Sequence, residues 1–151
     1  MGLRSDGVRG APPPLPPRLP EMRRYSVQDP PPEAVWYKNA AYALSKGLTM
    51  QAARAYATLT WWGEHYGIRS PEITSGRRSA AYQAELRARW DRGDRAGLVA
   101  RPALTSKHTD GRAFDLAADR GTLQTLGGLA PYAGLRWGGN FTDPDPVHFD
   151  L

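Results

Sequence analysis

The sequence predicts an α+β domain: a small antiparallel sheet with helices packed against it. Two observations lead there. Helical periodicity fills much of the chain between about residues 34 and 92, and short strand-like pieces bounded by turn residues gather in the last third. Helices early and short strands late, with no regular alternation of the two and no internal repeat, is the pattern of a segregated α+β fold rather than a doubly wound one. The length of 151 residues suits one compact domain.

Residues 1–35 stand apart. Pro12-Pro13-Pro14, Pro16-Pro17, Pro20 and Pro30-Pro31-Pro32 fix φ and remove backbone donors, so neither a helix nor a central strand is expected there. The stretch reads as an extended, polyproline-like N-terminal arm, either a free tail or a segment that docks on a partner. Residues 36–151 form the predicted folded domain. Within it, Thr49 is a suitable N-cap for a helix running to about Tyr66, whose stripe Ala52, Tyr56, Leu59, Trp62 and Tyr66 has helical spacing and should face the core. Trp61-Trp62 has the surface to stack on a sugar, but core packing is the reading preferred here. His65 has no metal-type partner at helical spacing and reads as structural.

Glu72 to Gly76 reads as a short strand ending in a turn. Ser79 caps a second helix on which Tyr82, Leu86 and Trp90 share a face, and Gly93 ends it. Residues 94–107 read as a loop. Strand-like pieces follow at Arg112–Ala117 and Val147–Leu151, with a small helix near Thr122–Leu126 between them.

Composition removes several functions. There are no cysteines, so disulfides, thiolate catalysis and Cys-based metal sites are excluded; a metal site must be built from Asp, Glu and the three histidines. No apolar run approaches the roughly 20 residues that span a bilayer. The start, Met1-Gly2-Leu3-Arg4, lacks the apolar core of a secretory signal, and the expectation is delivery by another route. The net charge of +5 favours a polyanionic partner, such as the anionic polymers of a bacterial wall. Arginine is scattered and no compact basic run occurs, so nucleic acid is not the expected partner.

Two of the three histidines lie in distinctive settings. In Ser106-Lys107-His108-Thr109-Asp110-Gly111-Arg112-Ala113-Phe114-Asp115, the Asp110-Gly111 pair signals a tight turn. The reversal brings His108 and Asp115 to one point, and strand alternation sets Asp115 and Ala113 opposite Phe114. In Asp143-Pro144-Asp145-Pro146-Val147-His148-Phe149-Asp150-Leu151, Val147 and Phe149 point to the core and His148 the other way. His108, Asp115 and His148 are a sound zinc ligand set that leaves a fourth position open for water, as catalytic sites do. Asp145, three residues before His148, is the chosen general base, with Asp143 its competitor; Asp150 is expected to point away from or beyond the site.

Ser106, His108, Gly111, Ala113 and Asp115 fill the pattern S-x-H-x-x-G-x-A-x-D, and Asp145, His148 and Phe149 fill an acidic residue three before a His-Phe pair. With Trp137-Gly138-Gly139 upstream and Ser75-Gly76-Arg77-Arg78-Ser79 followed by Gln83, residues 50–151 resemble the zinc peptidase family of VanY-type D-alanyl-D-alanine carboxypeptidases and phage L-alanyl-D-glutamate endopeptidases. The resemblance implies a zinc D,D-peptidase/Hedgehog-like fold, Zn2+ on His108, Asp115 and His148, and Asp145 as base. It further implies Arg78 as the cation that steadies the substrate oxyanion, and Ser106 and Gln83 as substrate-side residues; Ser106 has an equal reading as a group that satisfies the turn. Arg77 stands where the family carries an aromatic residue, leaving open which arginine points inward. The base is Asp, as in the phage endopeptidase branch, where carboxypeptidases commonly carry Glu.

The implied function is a zinc metallopeptidase, a hydrolase cutting peptidoglycan stem peptides. The small catalytic domain fits a phage endolysin that waits in the host cytoplasm for holin-mediated release, or a virion-associated lysin whose arm docks on other particle proteins. The rival readings are a D,D-carboxypeptidase or endopeptidase of the same fold, and a non-catalytic structural component of a particle.

Overall fold

The computed structural model describes residues 31–98, 101–102 and 106–151. Residues 1–30 of the expected arm lie outside the described residues. The described elements are α1 (Glu33–Ser45), α2 (Met50–His65), β1 (Ile73–Ser75), α3 (Ala80–Asp91), β2 (Ala113–Leu116), α4 (Arg120–Leu129), β3 (Arg136–Trp137) and β4 (His148–Asp150), with 3-10 turns at Ala130–Ala133 and Gly138–Asn140. The fold is α+β, with a four-stranded sheet of order β1-β2-β4-β3 in which every pairing is antiparallel. No helix among the described residues is long and apolar enough to cross a membrane.

The helices begin where side-chain caps allow. Thr49 Oγ1 accepts from Ala52 N at 3.2 Å, Ser79 Oγ from Tyr82 N at 3.0 Å, and Asp119 Oδ1 from Thr122 N at 2.8 Å. Each supplies a partner to a donor that the helix itself cannot satisfy, at a gain of about 1 kcal/mol.

On α2 the expected stripe is buried, from Ala52 at 0% exposure to Tyr66 at 3%. So are Ala53, Ala57, Thr58, Thr60 and Trp61. The reason is α1, which covers the face that the stripe leaves over: Trp36 Nε1 donates to Thr58 Oγ1 at 3.1 Å and Asn39 Nδ2 to Thr60 Oγ1 at 2.9 Å. A helix enclosed on several sides becomes apolar nearly all round, and its periodicity flattens. Trp61 and Trp62 are both buried, as core packing requires, and His65 is buried with its ring against Tyr66.

The α3 face differs from the one expected. Tyr82 is 53% exposed, while Gln83 and Leu86 are the buried residues of this helix. The buried face is turned partway from the expected one, keeping Leu86 and taking in Gln83 in place of Tyr82, because a polar residue with a partner can be buried at little cost.

The sheet's inner face carries Phe114 and Phe149, cross-strand partners whose rings stack at 5.8 Å, both fully buried. Tyr56 of α2 meets the Phe114 ring edge-on at 5.4 Å. This anchors α2 to the sheet and turns the opposite sheet face, with Asp115 and His148, toward a cleft.

Candidate metal centre and cleft

Asp115 and His148 stand directly opposite one another on β2 and β4. His108 reaches them from the turn that precedes β2. Gly111 N donates to His108 O at 3.2 Å and Arg112 N to Lys107 O at 2.8 Å, closing the predicted reversal. Gly111 makes that turn with φ +72°, a left-handed conformation that favours glycine. A Cβ there would also lie 2.7 Å from the Gly47 carbonyl oxygen.

Three ligand-type atoms converge at this point. His108 Nε2 lies 3.2 Å from His148 Nδ1, His108 Nε2 lies 3.3 Å from Asp115 Oδ1, and His148 Nδ1 lies 3.4 Å from Asp115 Oδ1. The triangle is nearly equilateral. A tetrahedral centre with bonds of about 2.0–2.1 Å places its ligand atoms about 3.3–3.4 Å apart, so the residues fit a zinc-sized cation without rearrangement.

The hydrogen bonds on the far side of each ring support the same fit. His108 Nδ1 lies 2.9 Å from the Gly76 carbonyl oxygen, which fixes its proton there and leaves Nε2 as a lone pair. His148 Nε2 lies 2.8 Å from Asp150 Oδ2, which leaves Nδ1 as a lone pair. Asp115 Oδ1 is buried and has no hydrogen-bond partner among the described residues. Two lone pairs and a carboxylate oxygen facing one another repel unless a cation or a proton lies between them. Oriented imidazoles of this kind are how proteins hold metal.

The protonation tendencies agree. Burial pushes the Asp115 carboxyl up, but the facing His108 and His148 rings outweigh it and hold the group well below the usual carboxylate range. Burial pushes the His148 imidazole down, yet the neighbouring Asp115 and Asp150 carboxylates raise it to about 9. Without a metal, the site draws a proton into the place that a cation would fill.

Asp150 was expected to point away from or beyond the site, and it lies beyond it, behind the His148 ring. It stands two residues beyond His148 on the same face of β4 and bonds directly to its ring. The signal was present, since residues i and i+2 of a strand share a face. Asp150 is 2% exposed and held by a fork from Arg136, Nε to Oδ1 at 2.7 Å and Nη2 to Oδ2 at 2.9 Å. Arg136 escaped the sequence reading because the two-residue strand β3 is too short to show alternation.

The centre sits in a cleft of about 670 Å³ lined by Arg78, Ser106, Asp143 and Asp145 along with the three ligand-type residues. Arg78, rather than the exposed Arg77, points inward. Its guanidinium donates to Ser75 Oγ at 2.9 Å, Gln83 Oε1 at 3.3 Å and Asp115 Oδ2 at 3.1 Å. Gln83 lines the cleft but is only 2% exposed, so its carbonyl serves chiefly to hold Arg78. Ser106 Oγ accepts from His108 N at 3.1 Å and steadies the turn from the cleft wall.

Asp145 sits deeper than Asp143, which is exposed at the cleft rim. Burial raises the Asp145 carboxyl above its ordinary value, and the neighbouring Asp115 charge adds to this against the pull of His148, His108 and Arg78. Its Oδ1 is buried without a hydrogen-bond partner among the described residues. The turn that carries it is clamped by the Trp137-Gly138 segment: Trp137 Nε1 donates to Pro146 O at 2.7 Å and Asp145 N to Gly138 O at 2.8 Å. A Cβ on Gly138 would collide with the Asp145 carbonyl oxygen, so this position needs glycine for close approach.

No protein-family model matches the chain, and no curated protein matches it. Among solved structures it is similar to the crystal structure of the L-Ala D-Glu endopeptidase ChiX of Serratia marcescens, with a TM-score of 0.49 and 19% identity over 78% of this chain and 86% of that one. The chemistry of the site rests on its own geometry.

Proposed function

We propose that this chain is a zinc-dependent peptidase of bacterial peptidoglycan, cutting the L-alanyl-D-glutamate bond of the stem peptide. The observation that carries the metal assignment is the near-equilateral triangle of His108 Nε2, Asp115 Oδ1 and His148 Nδ1 at the base of an open cleft. The two sequence patterns around these residues support the peptidase reading, and Asp at position 145 supports the endopeptidase branch.

His108, Asp115 and His148 would hold the zinc, which when bound supplies Lewis acidity to a carbonyl and lowers the pKa of water. Asp145, its carboxyl raised above the ordinary value by burial, takes the proton of the attacking water and returns it to the departing amine. In that step a C–O bond forms, the peptide C–N bond breaks, and the proton leaves on the amine. Arg78 donates to the carbonyl oxygen as negative charge develops there. Its bonds to Ser75, Gln83 and Asp115 hold it in place beforehand, so little reorganisation is needed.

We further infer a phage lysin, acting at lysis or from the virion, on the small basic catalytic domain and the proline-rich segment before it. Mass spectrometry of digested muropeptides tests the bond assignment. A new D-Glu amino terminus is the expected product, and free D-Ala instead makes the chain a carboxypeptidase.

A further inference from the structure

His148 is the ligand-type residue with the most elaborate support, and that support leads out of the cleft. Arg136 and Asp150 are cross-strand partners on β3 and β4. The Arg136 fork immobilises Asp150, whose Oδ2 takes the His148 Nε2 proton at 2.8 Å. The same guanidinium lies 5.0 Å over the Phe141 ring, and Phe141 in turn packs against the His148 ring at 5.7 Å. One cation therefore fixes both neighbours of the imidazole: the carboxylate that sets its tautomer and the aromatic ring that limits its rotation. The Arg136 side chain is 60% exposed and is not among the residues lining the cleft.

We propose that Arg136 is a positioning residue that sets the affinity of the centre for its metal, acting on His148 through Asp150 and Phe141. The inference rests on the metal-binding part of the function proposed above. A planar fork holds a carboxylate in one orientation, which a point charge cannot do. Lys107, whose Nζ is 3.6 Å from Asp150 Oδ1, cannot replace it. Without the fork Asp150 is free to swing, Phe141 loses its cover, and His148 must be ordered when the metal arrives. Groups that orient a ligating histidine in this way typically carry about 10–100-fold of metal affinity.

The test is zinc affinity of the full chain, measured by competition with a chromogenic chelator, with no wall substrate present. Arg136→Gln should bind zinc roughly 10-fold or more weakly, and Arg136→Lys should fall between it and wild type. Arg92→Gln, which removes an exposed ion pair with Glu85, should bind as wild type does. Long-range 1H–15N spectra should show His148 protonated on Nε2 alone in the metal-free wild type near pH 10, and a mixture of tautomers in Arg136→Gln. A purely structural role would lower the melting temperature and leave zinc affinity and tautomer untouched. Should Arg136→Gln fail to fold, Arg136→Lys carries the comparison. Wild-type affinity in the folded variants overturns this inference alone, whereas a wild type that binds no zinc overturns it together with the metal assignment.

Discussion

Asp115 and His148 are direct partners across the β2–β4 ladder, and their facing atoms, Oδ1 and Nδ1, stand 3.4 Å apart. The same ladder places Phe114 opposite Phe149 in the core. One register thus builds the hydrophobic anchor on one face of the sheet and two of the three members of the candidate metal site on the other. A slip of one residue would exchange the faces, so core packing protects the site geometry.

Metal binding should release protons. With its value raised to about 9, His148 is charged at neutral pH in the metal-free protein. A metal needs the neutral ring, so binding at pH 7 should expel close to one proton, and the release should fade above pH 9. Calorimetry in two buffers of different ionisation enthalpy measures this directly. Identical heats in the two buffers at pH 7 contradict it.

The same shifts set the stability of the metal-free protein. A raised His148 stabilises it fully below the unfolded value of 6.5, and this contribution is lost as pH climbs through about 9. A depressed Asp115 contributes above its unfolded value of 3.8 and is lost as pH falls below it. The melting temperature should therefore be highest between those unfolded values and decline toward pH 9, a decline that bound zinc should flatten.

Arg78→Ala should lower kcat by roughly 100- to 1,000-fold, as loss of a single oxyanion donor does, with a smaller effect on KM. Zinc content should persist, because the guanidinium touches only the outer oxygen of Asp115, Oδ2. A variant with normal kcat and raised KM would place Arg78 in ground-state binding instead.

Gly138→Ala should damage the site from behind. The added methyl meets the Asp145 carbonyl oxygen and comes 3.0 Å from His148 Cβ, so the turn carrying both residues must move. Overpacking of this kind costs about 1–3 kcal/mol, and here zinc affinity should fall with stability. Unchanged zinc affinity in a destabilised protein would separate the glycine from the site.

The α+β class and both strands of the Asp115–His148 ladder were legible in the sequence, because alternation and Asp110-Gly111 are short-range signals. Thr49 and Ser79 announced their helices for the same reason. What escaped depends on contacts made at a distance. The burial of nearly all of α2 follows from α1, and the inward face of α3 is set by Gln83 meeting Arg78 rather than by its aromatic residues. The Trp137-Gly138 stretch could be noticed, but its purpose as a seat for the turn at Asp145 appears only in three dimensions. Asp150 was within reach of the alternation argument, yet its part in holding His148 required the unanticipated strand β3.

The central claim is tested most directly by the release of new amino groups from purified peptidoglycan, comparing wild type with Asp145→Ala, each with its zinc content determined. The account predicts that wild type cleaves, while the variant keeps its zinc and loses activity by roughly 100- to 10,000-fold. A zinc-loaded wild type that cleaves no wall preparation, or an Asp145→Ala protein as active as wild type, contradicts it.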